Sequence, residues 1–155
     1  MRALTVLQPF ATALVRPDMK TVENRPMPFP STVPLPAWVA IHAGARPFPD
    51  DDACWAALVR LGSFPAPMRR VVGAVRFVRS LPIADLDGSS VGVTGDPWAS
   101  GPWCWVRDLC VEIEDAPEIR GLQGLWTLAG PTLGLLHKAI AEKYGAGEAA
   151  RAVAP

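Results

Sequence analysis

The chain has 155 residues, a formal net charge of zero and only 19% charged residues, whereas half of its residues are hydrophobic. This length provides one domain with room for a single core. A balanced charge argues against an extended basic surface for duplex nucleic acid, so any such contact must be local.

Cysteine and histidine are too sparse to suggest a metal site. The chain has three cysteines and two histidines, and no C-x-x-C pair, whereas zinc sites need more ligands at closer spacing. Cys104 and Cys110 lie six residues apart on one expected strand, roughly 20 Å, which is too far for a disulfide. We expect no metal and no cofactor. The oligomeric state is not predicted.

The apolar stretches are short. Residues 3–7 are cut off by Gln8 and Pro9, which leaves too short a run for a signal peptide. No stretch approaches the roughly 18 apolar residues of a membrane span. We therefore expect a soluble, cytoplasmic protein that does not contact a membrane.

The first third of the chain reads as strand, helix, strand, connector and strand. Residues 3–7 form an apolar, partly β-branched run, and Pro9 then begins a short helix over residues 10–15. Residues 20–25 read as a strand. Five prolines in residues 26–36 exclude a central strand there. Residues 37–43 alternate clearly, with His42 on the same face as Trp38, and Gly44 is expected to end that strand.

The rest of the chain adds strands and two helices. Helices are expected over residues 50–61 and 131–144, strands over residues 71–79, 102–114 and 125–128, and a long Gly-, Ser- and Asp-rich loop over residues 81–101. This predicts an α+β fold, a small, mostly antiparallel five- or six-stranded β-barrel with two or three flanking helices. Residues 1–144 would form the domain and residues 145–155 a flexible C-terminal tail.

One charged motif stands out in this apolar chain, K-T-V-E-N-R over residues 20–25. In a strand, Thr21, Glu23 and Arg25 share one face, which brings Glu23 and Arg25 close enough for a charge-assisted pair. Lys20 lies at the mouth of the strand, where a loop could aim it back over the same surface. A surface strand with a simple salt bridge is the alternative.

Several motifs in this order resemble the ASCH domain (activating signal cointegrator homology) of the PUA-like superfamily. They are LTVLQPFA at residues 4–11, KTVENR at 20–25, IHAG at 41–44, GAV at 73–75 and GLQGLW at 121–126. The resemblance covers roughly residues 2–128. It implies a PUA-like barrel with helices beside it, and a cleft between the first helix and the barrel. Family members are associated with RNA, DNA or modified nucleosides, and some small relatives resemble N-acetylcytidine amidohydrolases or ribonucleases.

The resemblance also implies roles for individual residues. Lys20 matches the family lysine that is thought to act in catalysis, Thr21 matches the threonine after it, and Arg25 matches the strand arginine. Glu23 stands where the small hydrolases carry a catalytic threonine, and agrees instead with the larger cointegrator-like branch. Those hydrolases also use a later glutamate. The acids in the corresponding region here are Asp85, Asp87 and Asp96, with no basis for choosing one.

The residue types around the motif suit a nucleotide. Gln8 and Asn24 offer donors and acceptors that can read a base edge, and Phe10 and Trp126 offer faces on which a base can stack. His42 is as compatible with an interior position as with a ligand contact, and packing in the core is the alternative role for Trp126 and Trp103.

Three functions follow as hypotheses. The first is a binding module that holds RNA, single-stranded nucleic acid or a modified nucleoside in the cleft lined by residues 20–25. The second is a hydrolase on the same cleft, an amidohydrolase or ribonuclease, with Lys20, Glu23 and Thr21 as catalytic residues. The third is a peptide- or protein-interaction module, which would need an apolar groove.

Overall fold

The computed structural model describes residues 1–47, 67–86 and 98–153, and these form an α+β fold. The predicted helix over residues 50–61 and most of the predicted loop over residues 81–101 lie outside the described residues. The strands are β1 (Arg2–Gln8), β2 (Val22–Arg25), β3 (Ala37–Pro47), β4 (Arg70–Pro82), β5 (Trp103–Glu112) and β6 (Leu125–Thr127), and the helices are α1 (Phe10–Val15), α2 (Pro131–Tyr144) and α3 (Ala146–Val153), with a short 3-10 turn at Ile83–Asp85.

The six strands form one sheet in the order β2-β5-β4-β3-β1-β6. The pair β1–β3 is parallel, and the other neighbouring pairs are antiparallel. The predicted mostly antiparallel arrangement of six strands is therefore confirmed. Strand β3 continues past Gly44, which was predicted to end it, as far as Pro47.

The sheet is not closed into the predicted barrel. Among the described residues, the edge strands β2 and β6 do not pair with each other. Strand β6 has only three residues, and its pairing with β1 stops at Leu4. Beyond that point no described strand pairs with β1 on this side. The side chain of Arg25, from β2, instead donates a hydrogen bond to the Thr5 carbonyl of β1, with Nη2 3.1 Å from the oxygen.

One face of the sheet, here called the inner face, carries the main core. Side chains that alternate along the strands, such as Leu4 on β1 and Val39 and Ile41 on β3, are buried there against α1. Gly73 of β4 permits this close approach, because a Cβ at that position would lie 2.9 Å from Cγ1 of Val15. The core thus fixes α1 over the inner face, next to β1.

The opposite, outer face packs against the C-terminal helices. Trp38 and Ala40 from β3 are buried there with Leu136 and Ile140 of α2. The alternation predicted for β3 is confirmed, since its two sets of side chains enter different cores. In the part of the chain that the structure describes, no helix is long and apolar enough to cross a membrane.

The predicted flexible tail from residue 145 is wrong for most of its length, because Ala146–Val153 forms α3. Glu148 anchors this helix. Its carboxylate accepts a hydrogen bond of 3.0 Å from Trp38 Nε1 and lies 2.9 Å from Nη1 of Arg76 on β4. Ala152 is buried in the outer core. These contacts join the last helix to the sheet, so the domain extends beyond residue 144.

Candidate functional site

A turn between α1 and β2 carries Lys20 to the site. The Lys20 amide donates to the carbonyl of Ala13 in α1 at 3.2 Å. From β5, Arg107 holds the same turn, because its Nε donates to the Lys20 carbonyl at 2.9 Å and its Nη2 to the Arg16 carbonyl at 2.5 Å. Arg107 is itself buried. Arg107 was not predicted as a site residue, since nothing in β5 alone shows that its side chain reaches a turn 87 positions earlier.

Lys20, Glu23 and Arg25, here called the charged cluster, come together as predicted, Glu23 and Arg25 through the strand period and Lys20 through the turn before the strand. Arg25 Nε lies 3.1 Å from Glu23 Oε1, and Lys20 Nζ lies 3.7 Å from Glu23 Oε2. Lys20 Nζ also donates to the Val22 carbonyl. The turn therefore returns Lys20 to the face that carries Glu23 and Arg25, and the predicted Glu23–Arg25 pair is confirmed.

The charged cluster is buried, which excludes the simple surface salt bridge. Lys20 is 2% exposed and Glu23 5% exposed, and the Arg25 side chain is 24% exposed. Removing such charges from water is costly unless they are paired. Two cations face one carboxylate within the cluster, so it carries a net positive charge. Nε of Arg25 has no well-directed hydrogen bond, and its contact with Glu23 is an ion pair.

Aromatic rings surround the charged cluster. Trp105 lies directly opposite Glu23 in the β2–β5 pairing, and its ring centroid is 5.7 Å from Cζ of Arg25. The Phe10 ring, from α1, is 5.9 Å from Lys20 Nζ. Phe10 also makes an edge contact with Trp98, at 6.1 Å between centroids. These distances are within the range of cation–π attraction and aromatic packing.

Asn24 serves the neighbouring loop. It alternates with Glu23, so its side chain points to the other face, with Val22 and Cys104. Its Nδ2 donates to the Trp98 carbonyl at 2.7 Å, and its Oδ1 accepts from the Ser100 amide at 3.0 Å. The predicted reading of a base by this amide would require these bonds to break.

Gln8 is also fully engaged within the fold. Its Nε2 donates to Thr12 Oγ1 at 3.0 Å and to the Pro67 carbonyl at 2.7 Å, and its Oε1 accepts from the Thr12 amide at 3.2 Å. Gln8 is 2% exposed. Gln8 thus joins β1 to α1 and to residue 67. Both donations of its Nε2 are made within the fold, so the predicted reading of a base by Gln8 would require one of these bonds to break.

His42 and Trp126 lie together, on the outer face. Their rings make an edge contact at 5.9 Å between centroids. Trp126 Nε1 donates to Thr5 Oγ1 at 3.3 Å, and His42 Nε2 lies 3.0 Å from the Ile119 carbonyl. Burial lowers the pKa of His42 below its usual value, against a smaller opposite effect of the Ile119 and Arg69 backbone. These two predicted ligand contacts thus lie on the other side of β1 and β3 from the charged cluster.

The other predicted catalytic groups are Thr21 and the three acids of the later region. Thr21 holds β5 through its backbone, because its carbonyl accepts from the Arg107 amide at 2.9 Å. Asp85 is exposed on the 3-10 turn, and Asp87 and Asp96 lie outside the described residues. The described ranges contain no group of three metal-ligating side chains.

Models of known protein families give no match to this chain, and the search of curated proteins gives none either.

Proposed function

We propose that this chain is an ASCH-type binding module that holds a nucleoside or a short single-stranded RNA against the charged cluster. One observation carries the proposal. A buried cluster with one more cation than carboxylate, Lys20 and Arg25 around Glu23, has the rings of Phe10 and Trp105 within 6 Å of its cations. A planar base with polar edges or a phosphate matches this combination of positive charge and aromatic surface.

The approach of β2 to β1 supports the PUA-like relation. Arg25 reaches from one edge of the sheet to the Thr5 carbonyl near the other. Such a contact, between the edge strand β2 and the strand β1 next to the other edge, is what a sheet curled toward a barrel would make. The ligand would lie where this side-chain contact takes the place of strand pairing, beside α1.

Hydrolysis is the second candidate function, and the Lys20–Glu23 contact of 3.7 Å favours it. A carboxylate near an ammonium group can activate water while the cation stabilises the oxyanion. However, Glu23 also pairs with Arg25, which favours its role as an anchor. A peptide groove has less support, because the cluster is charged rather than apolar.

The test is a titration of the purified chain with N-acetylcytidine, cytidine and a short oligouridylate, with mass spectrometry of each mixture. Lys20→Met keeps the length of the side chain and removes its charge. The matched control is Lys138→Met on α2, because the Lys138 side chain is 74% exposed. We expect saturable binding that Lys20→Met weakens about tenfold or more and the control leaves unchanged. Equal affinity in the two variants would contradict the proposal, and deacetylation that is lost only in Lys20→Met would establish the hydrolase.

A further inference from the structure

A cavity of about 580 Å³ lies at the His42 side of the sheet. Its position follows from the strand alternation, since Thr5 and His42 alternate with Leu4 and Ile41, which face the inner core. Its size is within the range of small-ligand sites. The lining residues, here called the His42 pocket, are Thr5, His42, Ala45, Arg69, Glu118, Ile119, Arg120 and Gly121.

His42 fixes one wall of this pocket. Because its Nε2 lies 3.0 Å from the Ile119 carbonyl, this nitrogen carries the proton of the neutral ring. The other ring nitrogen, Nδ1, is buried without a hydrogen-bond partner. Gly121 passes directly over it, and a Cβ there would lie 2.4 Å from Nδ1. His42 and Gly121 therefore hold the segment that carries Arg120 close against the sheet.

Arg69 is held from the opposite side in a strained backbone conformation. Its φ of +57° is uncommon for a residue with a Cβ. The Ile119 amide donates to the Arg69 carbonyl at 2.8 Å, which ties Arg69 to the segment before Arg120. Such strain persists where surrounding contacts impose it, and it is frequent at binding sites.

The charges on the walls are unbalanced. Arg69 and Arg120 are exposed, and neither guanidinium forms an ion pair with any residue that the structure describes. The one acid of the lining, Glu118, is paired with Arg70 at 3.4 Å. His42 adds no charge, because burial favours its neutral form. Two arginines thus face a pocket whose other walls include the apolar side chains of Ile119 and Ala45.

We infer that the His42 pocket is a second ligand site, which binds a phosphate ester. Guanidinium groups bind phosphate by paired, charge-assisted hydrogen bonds, and the apolar wall and the His42 ring offer a surface for the organic part of the ester. The phosphate could belong to a free mononucleotide or to a nucleic acid chain. This site is separate from the charged cluster, so it stands whether or not that cluster binds a nucleoside.

The test uses the double variant Arg69→Asn/Arg120→Gln. Asparagine tolerates a positive φ, so the backbone of residue 69 is preserved. The control variant Arg2→Gln/Lys138→Gln removes the same net charge at exposed positions outside the pocket. Calorimetric titrations with inorganic phosphate, uridine 5′-monophosphate and hexauridylate compare both variants with the wild-type chain. The amide signals of Gly121 and Arg69 are followed by NMR in the same titrations.

We expect uridine 5′-monophosphate to bind the wild-type chain and to shift the Gly121 signal. The affinity measured from the Gly121 signal should fall about tenfold or more in Arg69→Asn/Arg120→Gln and stay unchanged in the control variant. Tighter binding of hexauridylate than of the mononucleotide would identify a nucleic acid as the source of the phosphate, and the reverse a free nucleotide. Equal loss of affinity in the control, or a Gly121 signal that uridine 5′-monophosphate does not shift, would overturn the separate site.

Discussion

Glu23→Gln removes the one carboxylate of the charged cluster and keeps the shape of the side chain. Two buried cations then lose their shared partner, with Arg25 Nε at 3.1 Å and Lys20 Nζ at 3.7 Å from the altered group. Breaking a buried pair in this way costs about 3–5 kcal/mol. The Arg25 side chain is 24% exposed and keeps its hydrogen bond to Thr5. We therefore expect Glu23→Gln to lower the free energy of unfolding by about 2–3 kcal/mol, below the full cost. For a domain of this size that lowers Tm by about 5–10 °C.

The matched control is Glu142→Gln on α2, where Glu142 pairs with Lys138 at 3.8 Å and its side chain is 66% exposed. An exposed pair contributes well under about 1 kcal/mol, so Tm should hardly move. Urea denaturation of both variants, followed by circular dichroism, gives the difference in free energy of unfolding. In about 1 M salt the loss in Glu23→Gln should persist, because a buried pair is screened little.

The variant should also respond to anions. With Lys20 and Arg25 left without their carboxylate, phosphate or sulfate should stabilise Glu23→Gln more than the wild-type chain, through binding to the folded state alone. A free energy of unfolding for Glu23→Gln within about 0.5 kcal/mol of that for Glu142→Gln would refute the reasoning, because the cluster would then behave as a solvated surface pair.

Further predictions test residues that hold the charged cluster and the His42 pocket in place. Arg107→Gln should speed hydrogen exchange over residues 16–20 and weaken ligand binding, because the turn loses two hydrogen bonds; unchanged exchange would count against this role. Since burial lowers the pKa of His42, the unfolded chain binds its proton more readily, and stability should fall as pH drops below about 6.5, by at most about 1.4 kcal/mol per pH unit. A His42→Gln variant with undiminished pH dependence would contradict this. Gly121→Ala should destabilise the fold by about 1–3 kcal/mol, since its Cβ would lie 2.4 Å from His42 Nδ1. Gly134→Ala, with open space around it in α2, should instead stabilise the fold by about 0.5–1 kcal/mol. Thermal melts of the two variants should therefore shift Tm in opposite directions.

Local patterns were sufficient to predict the charged cluster. Strand alternation placed Glu23 and Arg25 on one face, and the position of Lys20 before the strand allowed its return to them. The limits of α1 and α2 were also predicted, because proline begins or precedes each helix and their apolar stripes are clear.

Contacts between distant residues explain what the sequence did not predict. Gln8 and Asn24 are polar groups near the motif, yet their partners at residues 67 and 98 are brought to them only by the folded chain. Helix α3 looks like a tail in the sequence because residues 145–155 are rich in alanine and interrupted by glycine. It is held by Glu148, whose partner Trp38 lies 110 positions earlier.

The charged cluster lies where the sheet fails to close. Within the described residues, β1 has no strand neighbour on one side beyond Leu4, and its Thr5 carbonyl accepts a hydrogen bond from Arg25. That guanidinium then lies against Glu23. The contact at this edge accounts for Arg25 and for its pairing with Glu23. The contact of Arg25 with Thr5 does not involve Lys20, and we propose that Lys20 serves ligand binding.

A double variant separates the two roles. In Lys20→Met/Glu23→Met, Arg25 keeps its bond to Thr5, and the buried Lys20–Glu23 pair is replaced by apolar side chains of similar volume. Replacing a buried pair in this way is often neutral or stabilising, whereas removing one partner is not. We therefore expect the double variant to be more stable than Glu23→Gln by about 2 kcal/mol and to bind no nucleoside. If chemical denaturation shows the double variant to be as unstable as Glu23→Gln, the pair is needed for folding, and the argument that Lys20 is kept for a ligand fails.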